Sequence, residues 1–183
     1  MKKWMLISWF ILVLYTVYYL VFNQPRTTIF NDFLDLSIDP LIFAVFNMLG
    51  IIPFLMLLYV IIYQIKTNRI QKIGLSLSFV SGAFALYPTA AFLGENNAKK
   101  HQKWTIYATI LSGISILFLA IYGFFFGSLN IYIESFKNDA FVHIMTIDFF
   151  FLYIHSIILS KKCSKYWYIS FIPFVGFSYI LYE

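Results

Sequence analysis

Charged residues are scarce in this chain. Asp, Glu, Lys and Arg make up 11% of its 183 residues, against about 25% in a soluble domain. So few charges cannot cover the surface of a folded domain in water. The shortage excludes disorder, a nucleic-acid module and an ordinary soluble globule, and leaves lipid as the solvent. Cysteine is nearly absent: Cys163 is the only one. No disulfide framework and no CxxC metal site is available within one chain. Cys163 sits in a basic loop, as a tolerated thiol or a juxtamembrane acylation site.

Catalytic signatures are missing too. There is no Gly-rich phosphate loop, HExxH, GxSxG or acidic pair. Only three His are present, His101, His143 and His155. His143 and His155 fall on different faces of one segment, a poor basis for haem or a three-ligand metal site. No metal, cofactor or nucleic-acid partner is expected.

What the chain has in quantity is apolar bulk. Hydrophobic residues make up 61% of it, with 22 Phe, 14 Tyr and 4 Trp. A spanning helix needs about 20 mostly apolar residues, because the hydrocarbon layer is ~30 Å thick and a helix rises ~1.5 Å per residue. Six segments qualify, at 4–22, 40–63, 74–93, 104–126, 141–160 and 166–182. None contains Lys, Arg or Glu, and only the fifth contains Asp. Trp4, Trp9, Trp104 and Trp167 lie at or near segment ends, as in an interfacial belt. The first segment follows Lys2 and Lys3 but lacks a small-x-small cleavage site, so it reads as an uncleaved anchor. The expectation is an all-α polytopic integral membrane protein forming one transmembrane domain over residues 1–183.

Two shorter stretches are amphipathic. In 28–38, Phe30, Phe33, Leu34 and Ile38 oppose Asn31, Asp32 and Asp35; in 130–139, Ile133 and Phe136 oppose Glu134 and Lys137. Each reads as a short interfacial helix or as a loop with apolar turns. Together with the long segments they suggest a 3+3 internal repeat. Each half has a long segment, an amphipathic stretch ending in Asp (Asp39, Asp139), a long segment, a basic loop and a final segment. The alternative is that any six-helix chain looks repetitive when halved.

Charge placement leaves two topologies open. With six crossings, Lys2, Lys3, Lys66, Arg69, Lys72 and Lys137 share one side, and the other basic residues share the opposite side. That is no bias. If 74–93 instead dips in and returns, one side holds every basic residue except Arg26 and Lys137, a strong positive-inside pattern. Gly82 and Pro88 in that segment permit such a break. Length favours six crossings. The Lys2–Lys3 pair places the N-terminus on the cytoplasmic side, as in a bacterial inner membrane.

Asp148 is the outstanding polar residue. A charged Asp well inside a spanning helix costs at least ~2.5–3.5 kcal/mol. It must be protonated, hydrogen-bonded within the bundle or facing water. His155 lies seven residues on, within about 20° of the same helix face but two turns away. A water or a polar residue from another helix would have to bridge them. Asn47 is the counterpart of Asp148 in the proposed repeat, eight residues past Asp39. Asp148, His155, Asn47 and His143 are therefore the candidate intramembrane polar site. Two uses compete for it: interhelical contacts that hold the bundle together, or a proton or ion relay.

Three stretches carry a resemblance. They are Phe46-Asn47-Met48-Leu49-Gly50-Ile51-Ile52-Pro53, Gly82-Ala83-Phe84-Ala85-Leu86-Tyr87-Pro88, and Phe141-Val142-His143-Ile144-Met145-Thr146-Ile147-Asp148-Phe149. Together they resemble a family of small uncharacterised polytopic membrane proteins of cyanobacteria and plastids, over about residues 40–155. The resemblance implies a helical membrane fold and no activity. On the residues themselves, the first expectation is a non-catalytic subunit or assembly component of a membrane complex. The second is a small proton- or ion-coupled carrier using Asp148 near the midplane.

Overall fold

The computed structural model describes residues 2–23, 37–94 and 99–183. These residues are mostly helical and contain no strand. Four helices are long and apolar enough to cross a membrane: α1 (Lys2–Asn23), α2 (Pro40–Ile62), α5 (Lys103–Phe126) and α7 (Ala140–Cys163). They correspond to predicted segments one, two, four and five. Helices α2 and α7 bury 44% of their apolar windows, α1 and α5 only 22%. The first pair is therefore central and the second pair peripheral.

Local chemistry explains where the helices start. Asp39 caps α2 by accepting the Leu41 N–H at 2.8 Å, and Pro40 takes the first position, where no donor is needed. The other Asp39 carboxylate oxygen accepts the Ser128 N–H at 2.9 Å, tying the end of α5 to the start of α2. Asp139 caps α7 in the same way through Phe141 and Val142. Close approach of α2 and α5 depends on Gly123, where an added Cβ would sit 2.8 Å from the Ala44 Cβ.

The predicted third and sixth segments are not single helices. Segment three divides at Gly82 into α3 (Arg69–Ser81) and α4 (Ala83–Ala91). The two fold back on each other. Gln71 Nε2, near the start of α3, donates to the Phe92 carbonyl just past α4, and a Cβ on Gly74 would collide with Thr89. The chain thus enters and leaves this hairpin at one end. Gly82 makes the bend, with φ +55° and ψ −131°, a conformation open to glycine and little else. Asn68 and Gln71 form a capping box at the hairpin's entry.

Segment six bends as well. A 3-10 turn (Trp167–Phe171) runs into Pro173 and Phe174, the latter at φ +58°, and then into α8 (Val175–Tyr182). Ser164 Oγ donates to the Glu183 carboxylate, so this segment also begins and ends at one place. A Cβ on Gly176 would collide with the Ile169 carbonyl, which shows how closely the two arms approach.

The amphipathic stretch at 130–139 is a helix, α6 (Leu129–Asn138). It packs Tyr132 and Phe136 toward α7 and leaves Leu129 and Ile131 exposed. The stretch at 28–38 lies outside the described residues apart from its last two. Helix α1 packs on α4, and α5 packs on α8; α2 packs on α3, and α7 on the 3-10 turn.

The hairpins' open ends cluster with the basic loops. Lys2 Nζ lies 4.1 Å over the Phe92 ring, Lys99 Nζ donates to the Ile180 carbonyl, and the Lys100 N–H bonds Ile62 at 2.8 Å. Tyr63 at the end of α2 reaches the Cys163 carbonyl at the end of α7.

Candidate functional site: the hairpin tips on helix α7

A helix N-terminus leaves up to four backbone N–H groups without intrahelical partners, and hydrocarbon offers them no water. The N-terminus of α4 lies at the hairpin tip inside the bundle. Gly82, its cap residue, has no side chain to supply an acceptor. Asp148 supplies it from α7. Its Oδ1 accepts the Ala83 N–H at 2.9 Å, and its Oδ2 fills the space that a Cβ on Gly82 would need. Asp148 is only 5% exposed. A carboxylate at this position also meets the positive end of the helix dipole.

Trp9 holds the same tip from the other side. Its Nε1 donates to the Phe84 carbonyl at 2.8 Å. The sequence placed Trp9 near an interface; it is instead an interior anchor between α1 and α4. Tyr87, one turn along α4, donates to the Phe151 carbonyl at 2.6 Å and meets His155 edge-on, with ring centroids 5.1 Å apart. Tyr87 is thus the residue between Asp148 and His155. Its hydroxyl is committed to the α7 backbone, so the three form a packed column rather than a hydrogen-bonded chain. His155 is buried, and its Nε2 has no hydrogen-bond partner among the described residues.

The second tip is also braced by α7. Tyr153 donates to the Phe171 carbonyl at 2.7 Å. Phe174, fully buried, packs edge-on against Phe149 at 4.9 Å and against Tyr153 at 5.8 Å. Ser178 Oγ donates to the Thr109 carbonyl and locks α8 to α5.

The other candidates lie elsewhere. His143 is held near the opposite end of α7. Its Nδ1 donates to the Phe136 carbonyl at 2.8 Å, and its Nε2 shares a 2.6 Å hydrogen bond with the Tyr15 hydroxyl. The ring is stacked between Tyr19 (3.7 Å) and Phe136 (4.3 Å). Asn47 donates to the Phe43 carbonyl of its own helix and lines an open groove between α2 and α5 with Ile51, Ile114, Ser115 and Phe118. No hydrogen bond joins any two of Asp148, His155, Asn47 and His143 among the described residues. No cluster of metal-ligating side chains occurs among them either.

His101 lies in the approach to α5 with both ring nitrogens buried and without a hydrogen-bond partner among the described residues. Burial, and then the neighbouring Lys99, lower its pKa, so it is neutral at pH 7. Sequence reasoning missed Trp9, Tyr87 and Tyr153 because aromatic residues are everywhere in this chain. The one available signal was the need for a polar bridge between Asp148 and His155. Comparison with family models, with curated proteins and with solved structures finds no match to this chain.

Proposed function

We propose that this chain is a non-catalytic integral membrane component, an accessory or assembly subunit of a larger complex, which receives a partner's helix along the groove between α2 and α5. The observation that carries this reading is Asn47. Its amide donates to the Phe43 carbonyl at 2.8 Å, and the rest of the carboxamide has no partner among the described residues. It faces an open recess of about 410 Å³ whose other walls are nearly all apolar. A carboxamide carries two donors and an accepting oxygen. Facing hydrocarbon those groups are poorly served, and a neighbouring helix would satisfy them. Asp148, by contrast, is occupied as a structural cap.

The membrane arrangement belongs to the same proposal. Four helices cross, and the two hairpins dip in from one face and return to it. That face then holds every basic residue except Arg26 and Lys137, and the opposite face holds Asp39, Glu134 and Asp139. By the positive-inside rule the basic face, with the N-terminus, is cytoplasmic. The halves 2–92 and 103–183 then run in the same direction. In each, a peripheral helix packs on the second arm of a hairpin: α1 on α4, α5 on α8. The 3+3 repeat is on this reading parallel, not inverted. The family resemblance rests on its three quoted motifs alone.

The test is co-purification in mild detergent. The wild type brings down a defined membrane partner; Asn47→Val with Ser115→Ala loses that partner while the chain itself still inserts and folds. A wild type that purifies alone, or a variant that keeps the same partner, contradicts the reading. The carrier reading draws on a different observation, a glycine-hinged hairpin tip resting on an intramembrane carboxylate. It is the weaker one, since neither Asp148 nor His155 lines a recess with Asn47.

A further inference from the structure

A second groove runs between α5 and α8. Its α5 wall is Ile110, Ile114 and Leu117, its α8 wall is Val175 and Tyr179, and its volume is about 230 Å³. Gly113 and Ser178 form the floor, where a Cβ on Gly113 would come 3.0 Å from the Ser178 Oγ. From Ile110 to Leu117 is about 10 Å along the helix, a third of the ~30 Å hydrocarbon layer. The groove therefore begins about 10 Å from Lys103 and ends about 21 Å from it, just past the middle of α5.

One face of α5 links this groove to charge. Lys103, Tyr107, Ile110, Ile114 and Leu117 are spaced by four, three, four and three residues, which aligns them on a single stripe. Lys103 lies two turns from Ile110 toward the helix start, and Lys100 precedes it by one turn's length of chain. Both lysines are exposed. Lys99 donates to the Ile180 carbonyl, which fixes this loop against the last turn of α8. The groove's outer end thus runs along this stripe toward Lys103, with an aromatic collar of Tyr107 and Tyr182.

We propose that the α5–α8 groove is a binding site for one anionic phospholipid of the basic leaflet. One acyl chain lies along Ile110, Ile114 and Leu117, and the phosphate-bearing headgroup meets Lys100 and Lys103. Charge complementarity selects this occupant over a zwitterionic lipid. Each lysine near an anionic headgroup contributes about fivefold in affinity, so the pair contributes about 25-fold. The groove adjoins the Asn47 recess at Ile114 but faces α8 rather than α2, and the proposal does not depend on the subunit reading.

The test is native mass spectrometry of the full chain released from detergent after incubation with phosphatidylglycerol or phosphatidylcholine of identical chains. The expected result is retention of one phosphatidylglycerol about 25-fold over phosphatidylcholine. Lys100→Gln with Lys103→Gln abolishes the preference, and neither change removes a fold contact of α5, whose N-terminus does not favour cations. Leu117→Trp, which fills the groove from an exposed position, lowers retention of both lipids. Lys161→Gln with Lys162→Gln, on the same face but away from the groove, leaves the preference unchanged. Equal retention of the two lipids by the wild type overturns the proposal. So does an equal loss of preference in the Lys161/Lys162 pair, which would assign it to general surface charge. Full competition by soluble glycerol phosphate also overturns it, because binding would then not use the groove.

Discussion

Asp148 and Ala83 lie 65 residues apart, and the 2.9 Å bond between carboxylate and backbone N–H joins the middle of α7 to the tip of the first hairpin. The carboxylate does for α4 what Asp39 and Asp139 do for α2 and α7 within their own chain segments. One consequence concerns the chemistry of substitution. Asp148→Asn keeps an accepting oxygen, whereas Asp148→Leu leaves the Ala83 N–H unpaired in a dry interior. The leucine variant is expected to lose about 1–3 kcal/mol of stability, and the asparagine variant a fraction of that. Thermal unfolding in detergent checks this, and equal stability of the two variants would contradict the capping role.

Gly82 carries two constraints at once, a positive φ and the proximity of Asp148. Gly82→Ala is expected to be strongly destabilising, by at least about 1–3 kcal/mol from backbone strain alone. Adding Asp148→Ala removes the collision but not the strain. The double variant should therefore recover part of the loss relative to additivity. The double-mutant cycle measures that coupling directly, and strict additivity would mean the two residues do not touch.

The side-by-side packing of α3 and α4 gives an independent check. Gly74→Ala puts a methyl group against the Thr89 side chain and should lower the unfolding temperature. Thr89→Ala in the same chain makes room and should restore most of it. If α3 and α4 formed one continuous helix, the second substitution would rescue nothing.

The four helices long and apolar enough to cross a membrane were legible in the sequence because a long uncharged apolar run has few other fates. The hairpins were not, for a physical reason. Twenty apolar residues register the same whether they cross once or descend and return, since both forms bury backbone hydrogen bonds in helices. Gly82 with Pro88 did mark the first break. Pro173 and Gly176 marked the second, yet the aromatic richness of 166–182 made it read as another span. The face arithmetic that aligned Asp148 with His155 was sound, and both are buried. What filled the gap between them was Tyr87, from a helix whose direction only the hairpin sets.

His155 tests whether that column is structural. Its Nε2 makes no hydrogen bond among the described residues, so His155→Leu, which keeps the apolar packing on Tyr87, is expected to change stability by less than about 1 kcal/mol. Thermal unfolding checks it, and a larger loss would show that the imidazole holds a polar contact essential to the fold.

His101 gives a pH dependence with a definite sign. Its pKa is lowered in the folded chain by burial and then by Lys99, so the unfolded chain takes up the proton first as pH falls. Its contribution to stability is present above the ordinary histidine pKa of about 6.5 and is lost as pH drops through and below that value. His101→Leu should flatten this part of the acid-stability profile, and an unchanged profile would remove His101 from the account.

The central claim is that both hairpins return to the face they enter. The most direct measurement is the accessibility of single cysteines to a membrane-impermeant thiol reagent in sealed, oriented vesicles, in a Cys163→Ser background. Lys100→Cys and Lys162→Cys should label from the same side as Lys3→Cys, and Asn130→Cys from the opposite side. A chain with six crossings gives the reverse, with positions 100 and 162 opposite to position 3 and position 130 beside it, and that result would contradict the account.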